Sequence, residues 1–388
     1  MTSLLALTLL LLQETPAAPV PAASDPARID VVALIEPIRA RRDLPGMVAA
    51  IVDREGVVAI GACGLRERGR EEKMTTTDRM HLGSCTKSMT ATLCAKLVET
   101  GRLKWDTTLG ASFADWGDAL NPGWKSVTLE QLLAHRGGAP KDIPPDLWVP
   151  FFTSRETPRA QREKLARGIL SVAPAHAPGT RFEYSNAGIA IAGLMAERAG
   201  GRDAPADFED LLRQELFVPL GMASAGFGPP GLDAPIGSAR TEPRGHRADG
   251  KRVGLGTGSD NPPAITPAGR VHASLPDWGA YAALHLRGPR DGGLGLAPAT
   301  FVRLHTAPAD GLDPYALGWM VAERASGGRV LTHSGSNTMW YCTAWLAPEK
   351  GFGVLVATNQ GGDAAAKACE DASNALIRAW TGHAESAK

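Results

Sequence analysis

The stretch HLGSCTKSMTATLCAKLVETG, residues 81–101, joins a glycine and a polar turn to a long run with helical spacing. Ser84 and Lys87 lie three residues apart, where a helix is expected to begin at Cys85. Residues three apart on a helix share a face, with about 5–6 Å between their Cβ atoms. The pair is therefore either a nucleophile with its proton acceptor or an N-capping serine followed by a solvated lysine.

As a catalytic pair, the two residues are chemically coherent. A serine hydroxyl is a poor nucleophile until a neighbouring base accepts its proton. A lysine amine can be that base only if burial or another cation lowers its pKa. The partial positive charge at a helix N-terminus would also stabilise an oxyanion that develops near the serine. S-x-x-K alone is a weak signal, so the remaining motifs decide between the two interpretations.

The sequence on both sides of this helical region predicts strands. Helical spacing over residues 28–42 is followed by two β-rich runs around a turn at residues 53–56, which predicts a hairpin. Towards the other end, YALGWMVAE, RVLTHSG, MWYCTAWLA and FGVLVATNQ are four strand-like runs before a helix over about residues 363–380. Short connections favour antiparallel pairing. We predict an α/β (α+β) fold in which an antiparallel β-sheet built from both chain ends is flanked by terminal helices.

The same pattern predicts how the domain is divided. A single domain over residues 28–384 would consist of a sheet part, residues 28–83 plus 300–384, and a large, mostly helical insertion over residues 84–299. Helices are expected after Thr128, up to Gly200, and from Ser274 to Gly288. The Pro- and Gly-rich residues 226–269 predict a long ordered loop. A site is expected where the two parts meet.

The first residues, MTSLLALTLLLLQETPAAPVPAASDP, differ from the rest. The apolar run over residues 4–12 is too short for a membrane span but is typical of a signal peptide. We predict a signal peptide over residues 1–22 and a periplasmic or secreted protein, although no Lys or Arg precedes the run. A buried first helix is the alternative.

Composition excludes several function classes. Lys plus Arg and Asp plus Glu are both 41, so no basic footprint for nucleic acid is expected. No stable membrane span, cofactor or metal is predicted, since the nine histidines form no H-E-x-x-H pattern. The odd cysteine count includes no C-x-x-C pair, and we interpret the cysteines, Cys85 included, as packing residues. The sequence gives no prediction for the oligomeric state.

Two further motifs contain residue types suited to catalysis. Tyr184 and Asn186, in YSN, lie between a Pro-Gly turn and a helix start. Tyr184 could relay protons and Asn186 could bind a substrate amide, or they could be an aromatic plug and a helix cap. In LTHSGSN, a strand carries His333 followed by Ser334, Gly335 and Ser336. The alternative there is a strand end with a surface histidine.

The order S-x-x-K, then Y-S-N, then a strand with [K/H]-[ST]-G resembles the serine β-lactamase and penicillin-binding-protein family. The resemblance is closest to its class C-like branch, which includes D,D-peptidases, D-aminopeptidases and esterases. It covers nearly the whole chain after the leader. LPGMVAAIVDREGVV, GRLKWDTTLG, SVTLEQLLAHRGG and LFVPLGM are similar to further stretches of the family.

The resemblance implies a set of roles. Ser84 would be the acylated nucleophile and Lys87 its proton acceptor, coupled to Tyr184, which would exchange protons with Ser84 and the leaving group. Asn186 would hold the substrate's amide or carbonyl. The oxyanion hole would consist of the backbone N–H groups of Ser84 and Ser336.

The third motif implies substrate binding by His333, Ser334 and Gly335. Where β-lactamases have a lysine, this chain has His333. A histidine with an ordinary pKa is mostly neutral near pH 7, whereas lysine is a fixed charge for a substrate carboxylate. We therefore expect weaker selection for the carboxylate of β-lactams or D-Ala-D-Ala peptides. Trp319 and Trp340 either line the acyl pocket or pack in the core.

These motifs predict an exported serine hydrolase that cleaves ester or amide bonds through an acyl-enzyme. Its partner would be a small-molecule or peptide substrate. β-Lactamase or D-Ala-D-Ala carboxypeptidase activity is one alternative, and a non-catalytic peptidoglycan-fragment binding protein is another. The absence of a G-x-S-x-G elbow disfavours a lipase-type α/β-hydrolase.

Overall fold

The computed structural model describes residues 29–201, 206–232, 242–256 and 258–386. The predicted signal peptide lies outside the described residues. No helix of the described ranges is both long enough and apolar enough to cross a membrane.

The described residues form nine strands in two sheets. The strands are β1 (Gly46–Asp53), β2 (Val57–Gly64), β3 (Met80–His81), β4 (Gly226–Phe227), β5 (Val271–Ala273), β6 (Met320–Arg324), β7 (Gly328–Ser336), β8 (Tyr341–Ala347) and β9 (Phe352–Thr358). The centre of the fold is a six-stranded antiparallel sheet with the strand order β2-β1-β9-β8-β7-β6. A second, three-stranded sheet has the order β3-β5-β4. The predicted antiparallel sheet made from both chain ends is confirmed.

Helices cover both faces of the large sheet. The first and last helices lie on one face, and the helices of the middle region lie on the other. They are α1 (Val31–Arg41), α2 (Thr86–Glu99), α3 (Leu109–Ser112), α4 (Leu129–Leu133), α5 (Pro145–Trp148), α6 (Pro158–Leu170), α7 (Asn186–Gly200), α8 (Phe208–Leu212), α9 (Thr266–Gly269), α10 (Leu275–Asp291), α11 (Pro298–Leu304) and α12 (Asp363–Ser386).

The central strand β1 shows why both faces are covered. Alternate residues of a strand point to opposite faces. Val48 and Val52 are buried in the core under the middle helices, whereas Met47 and Ile51 are buried under α1 and α12. Full burial of one such side chain stabilises the fold by about 1.5–3 kcal/mol. A strand whose side chains are apolar on both faces therefore requires helices on both sides of the sheet.

Several predicted boundaries differ from the structure. The last helix, α12, runs to Ser386 rather than to about residue 380. Helix α10 continues past Gly288 to Asp291, because Gly288 is a packing residue: a Cβ there would collide with the ring of Phe301. The predicted loop over residues 226–269 contains β4 and α9.

The helix that follows Ser84 also begins differently from the prediction. A 3₁₀ turn over Gly83–Cys85 precedes α2, which begins at Thr86. The Ser84 side chain caps no helix N–H, so the N-cap alternative is wrong. Helix α2 is buried almost throughout and packs against α7 and α9. The turn thus holds Ser84 half-buried, two residues before the start of a buried helix.

Candidate active site

The amine of Lys87 is the centre of a buried hydrogen-bond cluster. The side chain is fully buried, and Nζ lies 3.0 Å from Ser84 Oγ, 2.8 Å from Asn186 Oδ1 and 2.7 Å from the carbonyl oxygen of Ala268. The last two partners can only accept hydrogen bonds. A neutral amine has two N–H groups and one lone pair, so its lone pair is left for the hydroxyl of Ser84.

Burial also changes the charge of this amine. Removal from water disfavours the ammonium form and lowers the pKa of Lys87 to about 7. A substantial fraction of the amine is therefore neutral near pH 7. The geometry and the pKa together make Lys87 able to accept the proton of Ser84.

We expect the rate of ester hydrolysis to depend on this pKa. Because the predicted proton acceptor is the neutral amine, kcat/KM for an uncharged ester should rise as pH increases and level off above an apparent pKa of about 7. A pH–rate profile with an uncharged nitrophenyl ester measures it, after correction for spontaneous hydrolysis. A profile that falls across pH 6–8 would contradict Lys87 as the base.

Tyr184 lies beside this pair. The Nζ atom of Lys87 is 4.8 Å from the centroid of the Tyr184 ring. Burial raises the pKa of Tyr184 well above its usual value, and a hydrogen bond with Ser84 offsets this only in part. The hydroxyl therefore holds its proton at neutral pH and can donate it to a leaving group.

The start of α7 fixes Tyr184 and Asn186 in place. Ser185 is the N-cap: its Oγ accepts from the N–H of Gly188 at 3.1 Å and donates to the Pro140 carbonyl oxygen at 2.6 Å. Asn186, which the sequence offered as a cap, is instead the first helical residue, and its Oδ1 accepts from Lys87. Capping by Ser185 leaves the Asn186 side chain available to the cluster.

His135 packs beside Tyr184, just after helix α4. Helix α4 ends at Leu133, and His135 has the left-handed φ of 58°. Its Nδ1 accepts from the N–H of Ser185 at 3.1 Å, and its ring lies 4.4 Å from that of Tyr184, centroid to centroid. Burial lowers the pKa of His135 well below its usual value, so the ring is neutral. No pattern in the sequence indicated this contact with Tyr184.

Strand β7 lies directly against the turn that carries Ser84. A Cβ at Gly335 would collide with the Leu82 carbonyl oxygen and would lie 2.9 Å from the nitrogen of Ser84. A Cβ at Gly83, where φ is +47°, would collide with the nitrogen of Ser336. Both glycines thus allow a backbone approach that a side chain would prevent. The N–H groups predicted to form the oxyanion hole belong to these two adjoining segments.

This approach predicts a large effect of Gly335→Ala. The added methyl group would push β7 away from Ser84, which should lower the free energy of unfolding by at least about 1–3 kcal/mol and reduce turnover. Gly254→Ala is the matched control, since no atom lies within 4 Å of its added Cβ and it should change stability by no more than about 0.5 kcal/mol. Urea unfolding of both variants measures the difference, and equal stability would contradict the packing argument.

The remaining residues of the third motif point in different directions. His333 is 4% exposed, so the surface-histidine alternative is wrong. Its ring centroid lies 6.2 Å from that of Tyr184. The Ser334 side chain is exposed on the opposite face of β7, where its Oγ lies 3.1 Å from Thr343 Oγ1. On the face of β7 to which the His333 side chain points, Ser334 can therefore offer only backbone atoms.

One neighbour of His333 was not identified from the sequence. The Tyr315 hydroxyl lies 3.0 Å from His333 Nε2, and its ring packs against those of His135 and Tyr184. Tyr315 belongs to none of the three motifs, and the sequence predicted only a strand in the stretch that contains it.

The tryptophans and cysteines near the site are packing residues. Trp319 and Trp340 are both buried in the large core. Cys85 is also buried, with its Sγ 3.7 Å from that of Cys342 and oriented to the carbonyl oxygen of His333. Among the described residues, no three His, Cys, Asp or Glu side chains cluster as metal ligands would.

Comparisons with known proteins agree with this fold. The chain is 22% identical over 342 residues to Protein flp of Staphylococcus aureus (strain MW2), which corresponds to 86% of this chain and 63% of that protein. The chain therefore spans less than two thirds of the length of this relative.

Solved structures give the same result. D-alanine carboxypeptidase AmpC from Burkholderia cenocepacia superposes with a TM-score of 0.69 at 21% identity, covering 89% of this chain and 98% of that one. A class C beta lactamase from Rhodobacter sphaeroides superposes with a TM-score of 0.71 at 18% identity, covering 90% and 99%. At these identities the likeness shows a shared fold. Because the family model "Beta-lactamase" also matches residues 31–377, the chain belongs to the Beta-lactamase family, whose members are typically serine hydrolases.

Proposed function

We propose that the protein is an exported serine hydrolase that cleaves ester or amide bonds through an acyl-enzyme on Ser84. The observation that carries the proposal is the fully buried Lys87 amine, which lies 3.0 Å from Ser84 Oγ and has a pKa of about 7. A solvated surface lysine would have neither property. The predicted leader over residues 1–22 supports export.

Acylation would begin with transfer of the Ser84 hydroxyl proton to neutral Lys87 as Oγ attacks the substrate carbonyl carbon. The backbone N–H groups of Ser84 and Ser336 would stabilise the oxyanion. Collapse of the tetrahedral intermediate breaks the ester or amide bond, and Tyr184 donates its proton to the leaving group. Lys87 then returns the serine's proton to Tyr184, which leaves an acylated Ser84 and both groups in their initial forms.

Deacylation would use the same pair in reverse order. Water gives a proton to the Lys87–Tyr184 pair as its oxygen attacks the acyl carbonyl, and the second tetrahedral intermediate releases the acid when Ser84 Oγ takes the proton back. Because the two groups are adjacent and exchange protons, their titration belongs to the pair rather than to either residue. Asn186, held at 2.8 Å from Lys87 Nζ, would orient both this amine and the substrate carbonyl or amide.

The substrate class follows from the third motif. His333 replaces the fixed positive charge of a lysine, which favours substrates without a carboxylate near the scissile bond. β-Lactamase or D-Ala-D-Ala carboxypeptidase activity is the second candidate, because two proteins of the same fold are described as a D-alanine carboxypeptidase and a class C beta lactamase. A non-catalytic peptidoglycan-fragment binding protein is a third, but it would have no need of a buried lysine beside a serine.

The test compares two chromogenic substrates, a cephalosporin and a short-chain nitrophenyl ester. We expect fast ester turnover and negligible cephalosporin turnover by the purified protein. Comparable cephalosporin turnover would favour a β-lactamase. A stable adduct on Ser84 that never turns over would favour the binding protein, and turnover of neither substrate with no adduct would contradict hydrolysis of both classes.

A further inference from the structure

The ring of His333 has both nitrogen atoms engaged by neighbours. Nδ1 lies 2.7 Å from the carbonyl oxygen of Ser334, and Nε2 lies 3.0 Å from the hydroxyl oxygen of Tyr315. A carbonyl oxygen can only accept, so Nδ1 carries a hydrogen atom. In a neutral ring the lone pair is then on Nε2, where the hydroxyl of Tyr315 donates to it. The contacts thus fix one tautomer.

A hydrogen on Nε2 would fit this environment poorly. If Nε2 also carried a hydrogen, it would donate to Tyr315 Oη, and the hydroxyl hydrogen of Tyr315 would need another acceptor. Within the described residues, the only hydrogen bond of Tyr315 Oη is the one to His333. Tyr315 is 2% exposed, so a stranded hydroxyl hydrogen would cost about 1–3 kcal/mol. No carboxylate of the described residues pairs with the ring either, and the nearby thiol of Cys85 donates to the carbonyl oxygen of His333 at 3.4 Å.

Tyr315 is itself held rigidly. Its carbonyl oxygen accepts from Arg136 Nη1 at 3.2 Å, and the same guanidinium binds the carboxylate of Asp310 and the carbonyl oxygen of Asp313. Its ring lies 4.7 Å from that of His135, centroid to centroid. Burial raises the pKa of Tyr315 well above its usual value, so the hydroxyl keeps the hydrogen that it donates.

We propose that Tyr315 is a positioning residue that fixes His333 as the neutral Nδ1–H tautomer, and that it thereby makes the site select uncharged leaving groups over those with a carboxylate. This rests on the proposed function of Ser84 and names the residue behind its substrate preference. With Nδ1–H donated to Ser334 and Nε2 occupied by Tyr315, His333 has no N–H to offer a substrate carboxylate. A site with a free donor there would bind such a substrate.

A pair of aryl esters with the same acyl group tests the selectivity. One is the phenylacetylglycyl ester of 3-hydroxybenzoic acid, and the other is the same ester of methyl 3-hydroxybenzoate. Both give the same acyl-enzyme, so any difference arises in binding and acylation. We expect the wild type to prefer the methyl ester by about tenfold or more in kcat/KM.

The informative variant is Tyr315→Phe, which keeps the ring packing and frees Nε2 of His333. We expect the preference for the methyl ester to shrink at least about fivefold, chiefly through a lower KM for the carboxylate ester. Tyr281→Phe is the matched control: its buried hydroxyl lies 3.1 Å from Thr92 Oγ1, and the preference should stay as in the wild type. An unchanged preference in Tyr315→Phe, or equal losses on both esters, would overturn the proposal.

A second readout does not require activity. In two-bond ¹H–¹⁵N spectra of the histidine-labelled full chain, His333 should show a protonated Nδ1 and an unprotonated Nε2, with His333→Gln identifying its signals. Tyr315→Phe should increase the Nε2–H form. A wild-type His333 that carries its hydrogen on Nε2 would overturn the proposal even if both esters were hydrolysed. If neither ester were hydrolysed, the proposed function would fail while this spectrum still decided the tautomer.

Discussion

Ser84→Ala is expected to lower kcat/KM for a nitrophenyl ester by on the order of 10⁴-fold or more. Removal of the nucleophile of a covalent mechanism eliminates the acyl-enzyme, and the residual rate then comes from binding and the oxyanion hole alone. The fold should be unaffected, because Ser84 is only half-buried and its side chain caps no helix. Steady-state kinetics and a thermal melt of the same preparation measure both effects.

Ser171→Ala is the matched control for this variant. Ser171 is exposed at the end of α6, and its Oγ donates to the carbonyl oxygen of Gly168. Its kcat/KM should stay within about twofold of the wild type, as expected for a surface substitution. Full activity of Ser84→Ala would mean that the S-x-x-K spacing has no catalytic meaning in this chain.

The second large effect is expected for Lys87→Met. Methionine is similar in length but cannot accept a proton, so the acylation rate should fall by about 10²–10⁴-fold. Two changes in stability oppose each other. The Asn186 and Ala268 oxygen atoms lose a donor, whereas the cost of burying an amine disappears. Pre-steady-state release of nitrophenol measures acylation directly.

The control for Lys87 is Lys104→Met, at an exposed position beyond the end of α2. It should acylate like the wild type. If Lys87→Met retained more than about a tenth of the wild-type acylation rate, Tyr184 would have to accept the serine proton by itself. Tyr184 is an unfavourable proton acceptor, because burial raises the pKa of its phenol and keeps the hydroxyl protonated.

The fold could be predicted from the sequence where the pattern was local. The hairpin at the start and the four strands near the end each carry β-rich runs between turn residues, and short connections make them antiparallel. The predicted ends of helices were wrong where tertiary packing, rather than the local sequence, decides where the helix ends. Gly288 looked like a helix stop, but it is a glycine because the ring of Phe301 fills the space of a side chain.

Within the candidate site, the residues that belong to contiguous motifs could be predicted from the sequence. Ser84 and Lys87 meet because of helical spacing, and Asn186 joins them because Ser185, not Asn186, caps α7. Residues brought in by distant loops could not be found. Tyr315 meets His333 across 18 positions of chain, through a loop that Arg136 holds, and no local pattern encodes that contact.

The most direct test of the account is the mass of the trapped acyl-enzyme. The protein would be mixed with an excess of a nitrophenyl ester, quenched in acid within the first turnovers, and digested for peptide mapping. We expect one added acyl group on the peptide that contains Ser84, and none on that peptide in Ser84→Ala. An acyl group on another residue, or steady turnover with no acylated peptide at any quench time, would contradict covalent catalysis by Ser84.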